Sequence, residues 1–246
     1  MSRPTNSADS VANASETTDI YSDERRGQGA QGVVEDNAIH PQDSLDRSGE
    51  SGLIKAPDGG FKKIHVGLSW DNIVVKTSGG FMGLIKKATK QGVDLDLGCF
   101  FELKNGTRGI LQSFGDLHGK LDDIPYIELS KDERTGNAKG DDESLTINGQ
   151  EWSEIKRVLV YAYIYEGATN WNEIKPKITI DLKNGDTPIK IEPSLKTTQM
   201  TVCALATIEN VKNAISIKTH GEYFTSQASM DRAFGFGLKW EDGAKD

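Results

Sequence analysis

Cysteine, long apolar runs and basic excess are all scarce in this chain. Only Cys99 and Cys203 occur, each in an apolar stretch with no second Cys or His at ligand spacing. This argues against a zinc knuckle and a disulfide framework, and leaves two small core residues in strands. No stretch approaches the ~20 apolar residues of a membrane-spanning helix. The opening MSRPTNSADS lacks the charged-then-apolar pattern of a signal peptide. Both absences point to the cytoplasm, where thiols stay reduced. Net charge is −8, which argues against nucleic-acid binding, because that needs a basic face to neutralise phosphates.

Catalytic hardware is missing as well. No serine sits in a Gly-x-Ser-x-Gly elbow. Gly79-Gly80-Phe81-Met82-Gly83 lacks the Gly-Lys-Ser/Thr ending of a Walker A loop. His40, His65, His118 and His220 are dispersed. Without a nucleophile and base in reach of one another, the expectation is a binding protein rather than an enzyme.

What is present divides into two parts. Residues 1–55 are rich in Ser, Asp, Asn, Gly and Gln, with Tyr21 as the one aromatic. Such a segment buries too little apolar surface to offset its ordering entropy. The expectation is a disordered N-terminal tail, either an inert extension or a docking arm, followed by one domain over residues 56–246. In that domain Ile64, Val66 and Leu68 alternate with Lys63, His65 and Gly67, the period of a half-buried strand. Val93-Asp94-Leu95-Asp96-Leu97 alternates strictly. Residues 157–165 (RVLVYAYIY) are nearly all apolar and β-branched or aromatic, as in a central strand buried on both faces. Residues 108–114, 177–182, 189–191, 200–208, 214–218 and 234–240 complete the expected strands. Asn105-Gly106 and Asn184-Gly185 are hairpin dipeptides. Residues 81–91 (FMGLIKKATKQ) read as a short helix, and residues 151–156 (EWSEIK) as one helical turn. The fold class expected is all-β: an antiparallel β-sandwich of two packed sheets with short helical insertions.

Two acidic segments carry chemistry. In a strand, Val93, Leu95 and Leu97 share one face, and Asp94 and Asp96 share the other with Cα atoms ~7 Å apart. Carboxylates that close repel unless a positive charge lies between them. The second segment ends in Gly140-Asp141-Asp142-Glu143. From Asp116 to Glu143 there are nine acids against four Lys or Arg. Each motif alone also fits a solvated acidic surface. The acidic loop offers oxygen donors free of Cys and His, which favours a hard cation over zinc or copper. The spacing is not that of an EF-hand, since Gly98 follows and no bidentate Glu does. A site would have to be assembled from distant segments.

The lysines Lys86, Lys87 and Lys90 beside Phe81, Met82, Leu84 and Ile85 admit two readings. They form a solvated face on a capping helix, or a contact with anionic lipid or a partner.

The order of these motifs resembles the bacterial tellurium-resistance TerD-type domain family. The resemblance rests on Val66-Gly67-Leu68-Ser69-Trp70-Asp71, then Val93-Asp94-Leu95-Asp96-Leu97, then Arg134-Thr135-Gly136-Asn137-Ala138-Lys139-Gly140-Asp141-Asp142-Glu143, followed by the apolar strand. It covers about residues 61–240. The ending Met230-Asp231-Arg232-Ala233-Phe234-Gly235-Phe236-Gly237-Leu238 is most similar to the TerA-type branch. The resemblance implies a β-sandwich that binds calcium in loops at one end, through Asp94, Asp96, Asp132, Asp141, Asp142 and Glu143. It implies a role in tellurite resistance and stress response, with other tellurium-resistance proteins and a membrane-embedded component as partners, and peripheral membrane contact. Three departures matter. Residues 78–91 are an insertion. Tyr165-Glu166-Gly167-Ala168 replaces the family's His-Asp-Ala. Lys131 and Lys139 place positive charge within the acidic loop. One ion is therefore expected rather than two. The alternatives are a metal-dependent phosphoester hydrolase using the same acids, with Arg134 holding phosphate, and a Ca²⁺-dependent membrane-binding module.

Overall fold

The structure is a computed structural model, and it describes residues 3–5, 49–70, 73–78, 87–113, 115–130, 141–167, 171–183, 187–192 and 198–241. In chain order the elements are β1 (Arg3–Thr5), β2 (Ser51–Ile54), β3 (Lys63–Ser69), β4 (Ile73–Ser78), β5 (Lys87–Gly92), β6 (Asp94–Leu103), β7 (Arg108–Gln112), β8 (Gly119–Lys120), β9 (Ile127–Leu129) and β10 (Glu143–Asn148). A 3-10 turn (Gly149–Glu154) leads into β11 (Ile155–Glu166). Then come α1 (Trp171–Ile174), β12 (Lys177–Asp181), β13 (Ile189–Ile191), β14 (Val202–Val211), β15 (Ala214–Phe224), α2 (Gln227–Phe234) and β16 (Lys239–Glu241).

Two six-stranded sheets form the sandwich. The first runs β13-β12-β3-β10-β9-β8, and the second β2-β15-β14-β11-β6-β7. Their pairings are antiparallel. The expected all-β antiparallel sandwich is therefore the fold observed.

Alternation sets what lies between the sheets. Ile64, Val66 and Leu68 of β3, with Leu145 and Ile147 of β10, project from the first sheet into the core. Leu95, Leu97, Cys99 and Phe101 of β6, with Val158, Val160 and Ala162 of β11, meet them from the second. Full burial of such aliphatic side chains contributes roughly 1.5–3 kcal/mol each. Both cysteines are buried free thiols, as expected.

The long strand β11 is buried on both faces, as its composition required. Its outward residues Leu159 and Tyr161 lie in a second cluster with Phe100, Ile110, Met230 and Phe236. The segment that covers this outer face differs from the sequence expectation. Residues 234–240 were expected to be a strand. Instead α2 runs to Phe234, and only β16 is extended. A capping box between Ser226 and Ser229 starts α2, and Gly235 ends it in the left-handed region at φ 66°.

Polar contacts then fasten this segment. Buried Asp231 accepts the backbone N–H of Gly237 (2.8 Å) and Leu238 (3.0 Å) and the Trp240 indole N–H (2.8 Å). Arg157 donates to the carbonyls of Phe234 (3.0 Å) and Gly235 (3.1 Å). Arg108 donates to that of Phe236 (3.0 Å).

Two other expectations change. The second half of the expected 81–91 helix is strand: β5 pairs with β4 from Ile73–Gly92 to Ser78–Lys87, while residues 81–86 lie outside the described residues. The helical turn spans Gly149–Glu154, with Ile155 and Lys156 already in β11. β2 joins the second sheet by pairing with β15, and β1 pairs with β16 in a separate two-stranded sheet. The expected disorder of the N-terminal tail falls mostly on residues 6–48, outside the described residues. So does Asn184-Gly185-Asp186, although β12 and β13 pair as a hairpin should. At Asn105-Gly106 the hairpin is as expected, with Gly106 at φ 89°.

Candidate metal centre

Both acidic segments arrive at the end of the sandwich where β3 stops. Trp70, just past β3 and buried, ties them together. Its indole N–H donates to the Val93 carbonyl at 3.2 Å, fixing the start of β6. Its backbone N–H donates to the Asp142 carboxylate at 3.3 Å, fixing the start of β10. The Asp142 N–H in turn donates to the Leu68 carbonyl at 2.8 Å. The Asp-Leu-Asp segment and the acidic loop, some 45 residues apart in the chain (Leu97 to Glu143 is 46), are also joined directly: Glu143 accepts the backbone N–H of Leu97.

The acids point in different directions. Asp94 and Asp96 are half-buried and lie on the face of β6 opposite core residues Leu95 and Leu97, as alternation predicted. Asp96 pairs across the ladder with Tyr163, and Asp94 with Glu166 beyond an irregularity. Burial pushes the Tyr163 hydroxyl up, and the negative charge of Asp96 adds to it. Glu143 alternates with Leu145 and Ile147, so it faces inward from β10 and is 3% exposed.

Asp141 lies on the outer face of the first sheet, over Gly67. A Cβ built on Gly67 would sit 2.0 Å from the Asp141 carboxylate carbon, so only glycine leaves room. The carboxylate is held by Thr179 Oγ1 (3.3 Å) on β12 and lies 3.1 Å from His65 Nε2 on β3. Sequence reasoning did not single out Gly67 or Thr179. An isolated glycine within a strand pattern is the signal that marks such a close approach.

Among the described residues, no group of three or more His, Cys, Asp or Glu side chains is placed to hold a metal ion. Asp132, with Lys131, Arg134 and Lys139, lies outside the described residues. The donor chemistry nevertheless fits a hard cation, since the five described acids offer only oxygen. Burial raises the Asp142 carboxyl above its ordinary value, against the opposing Trp70 N–H, and the charge of Asp141 raises it further. A cation nearby would relieve both effects.

No family model matches the chain. Over 185 residues, 75% of its length, it is 37% identical to the tellurium resistance protein TerA of Alcaligenes sp. The chain spans about half the length of that relative, 53%. With this identity, and with the motif-bearing strands arranged as a two-sheet sandwich, the chain carries a TerA-type domain of the tellurium-resistance family.

Proposed function

We propose that this domain binds Ca²⁺ at the Trp70 corner and acts as a non-enzymatic binding and scaffold module in tellurite resistance and stress response. Its partners are other tellurium-resistance proteins, including a membrane-embedded component, with peripheral membrane contact. The tellurium role is taken from the TerA relative. The location proposed is the cytoplasm. No helix among the described residues is long and apolar enough to cross a membrane.

One observation carries the calcium reading: Trp70 anchors both acid-bearing segments at one corner. Asp94 follows the residue that accepts its indole, and Asp142 accepts its backbone N–H. The ligands proposed are Asp94, Asp96, Asp132, Asp141, Asp142 and Glu143. Bound there, the ion supplies positive charge to carboxylates that otherwise repel. Trp70 fixes the backbones that present them. The hydrolase alternative would use the same acids, with its phosphate-holding Arg134 outside the described residues.

Calorimetric titration of metal-free protein tests the proposal. Saturable Ca²⁺ heat that is lost in an Asp141→Asn, Asp142→Asn double variant is the expected result. Absence of heat, or heat unchanged in the variant, would overturn it.

A further inference from the structure

The hairpin of β4 and β5 belongs to neither six-stranded sheet. Its strands pair only with each other, from Ile73–Gly92 to Ser78–Lys87. Its base is rooted at the Trp70 corner. The Trp70 indole holds the Val93 carbonyl, directly after β5, at 3.2 Å. Gly167, at φ 99°, packs so closely on the Gly92 carbonyl that a Cβ there would sit 2.0 Å from the oxygen. β4 also packs on α1. At ~3.3 Å per residue, strands of this length carry the far end roughly 20 Å from the base.

Charge is distributed unevenly along the hairpin. Residues 73–92 hold Lys76, Lys86, Lys87 and Lys90 and no Asp, Glu or Arg, in a chain of net charge −8. The two pairs nearest the base, Ile73–Gly92 and Val74–Gln91, are uncharged. Lys90 enters opposite Val75, Lys76 opposite Thr89, and Lys87 closes the ladder opposite Ser78. Residues 79–86, which join the two strands at that end, lie outside the described residues; their sequence is Gly-Gly-Phe-Met-Gly-Leu-Ile-Lys. In sequence, four large apolar residues therefore follow directly on the lysine-bearing end of the ladder. Charges are screened over ~8 Å at physiological ionic strength. Lysines that far from the base act as a local positive patch, although the whole chain is negative.

We propose that the β4–β5 hairpin is the segment through which this protein contacts a membrane, with its lysines on anionic lipid headgroups and the apolar residues of 81–85 entering the interface. This locates the peripheral membrane contact proposed above and rests on that reading, but not on calcium. Charge alone would also suit an acidic protein surface. Phe81, Met82, Leu84 and Ile85 beside the lysines favour a bilayer, where apolar side chains reach the acyl boundary while ammonium groups stay at the phosphates. Each lysine near an anionic surface strengthens binding about fivefold.

Co-sedimentation of the full chain with lipid vesicles in the presence of a chelator tests this. One set of vesicles is equal parts phosphatidylserine and phosphatidylcholine, the other phosphatidylcholine alone. Wild type is expected to bind the anionic vesicles only, and less as salt rises. Changing Lys76→Gln, Lys87→Gln and Lys90→Gln together should weaken binding about a hundredfold. Leu84→Ser with Ile85→Ser should weaken it at least about tenfold. A control with the same change of net charge, Lys63→Gln, Lys177→Gln and Lys190→Gln at exposed positions of the first sheet, should bind like wild type. Binding that survives the hairpin lysine changes, or that the control loses equally, overturns the hairpin and leaves the membrane contact standing. Binding undiminished by the two serines overturns entry of the apolar residues and with it the bilayer as the preferred occupant. Wild-type binding only once calcium is restored overturns the hairpin alone. No binding with or without calcium overturns both the hairpin and the membrane contact.

Discussion

Glu143, on the first sheet, accepts the backbone N–H of Leu97 on the second. The strand ladder explains why that N–H is available. β7 stops pairing with β6 at Gly98–Gln112, one residue short of Leu97. A carboxylate from the opposite sheet takes over where the strand ends. Glu143→Ala is expected to leave a buried donor unsatisfied and to lower stability by about 1–3 kcal/mol. Glu143→Gln, which keeps an acceptor oxygen, should lose less. Urea unfolding of the two variants against wild type measures the difference.

Glu102 fastens the C-terminal cover. Its carboxylate, 3% exposed, meets Arg108 (3.0 Å), Lys156 (3.0 Å) and Arg157 (2.6 Å). Burial alone would raise its carboxyl. Hydrogen bonds from Lys156 and Arg157, and the charges of Arg157 and Arg108, outweigh burial and hold it below the ordinary 4.5. A depressed carboxyl stabilises the fold above its unfolded value and loses that contribution as pH falls through the folded value. Glu102→Gln should therefore cost roughly 1–3 kcal/mol at neutral pH. The gap to wild type should narrow below pH 4.5. Denaturation curves of both proteins across that range check the sign.

His220 gives a second acid-linked loss. It is 6% exposed, bonds Thr207 Oγ1 at 2.8 Å and packs its ring 4.9 Å from that of Phe234. Burial, with a smaller push from Lys218, lowers it from 6.5 to about 4. Exposed Glu222, 3.9 Å away, does not offset this. The unfolded chain then takes a proton near pH 6.5 and the folded chain near 4. Stability present above that window is lost as pH falls through it. Between pH 7 and 5 the loss should be about 2 kcal/mol, at about 1.4 kcal/mol per unit. His220→Gln should flatten this part of the stability profile.

Gly98 faces Tyr161 across β6 and β11. A Cβ there would lie 2.4 Å from the tyrosine ring, which is buried and bonded to Gln112 at 3.2 Å. Gly98→Ala is expected to cost about 1–3 kcal/mol by overpacking. Thermal unfolding measures it, and a neutral result would mean that Tyr161 has room to move.

Patterning made the sandwich legible. The alternation in β3 and the first half of β6, and the continuous apolar run of β11, each state how many faces are buried. The helix α2 was hidden because it is short and the Phe-Gly-Phe-Gly that follows mimics strand alternation. What fixes it is tertiary: Asp231 on two N–H groups and Arg157 on two carbonyls. The Lys-Ala-Thr-Lys-Gln of β5 has helical propensity, and pairing with β4 overrides it. At the candidate site, alternation correctly set Asp94 and Asp96 opposite the core. The placement of Asp141 was not legible, because its partner Thr179 comes from a strand 38 residues away in the chain.

The most direct test of the central claim is an experimental structure of the full chain grown with calcium. The account predicts at least one ion at the Trp70 corner, bound by oxygens from both the Asp94–Asp96 segment and the Asp141–Glu143 segment. A corner without an ion under saturating calcium, or an ion held by one segment alone, would contradict it.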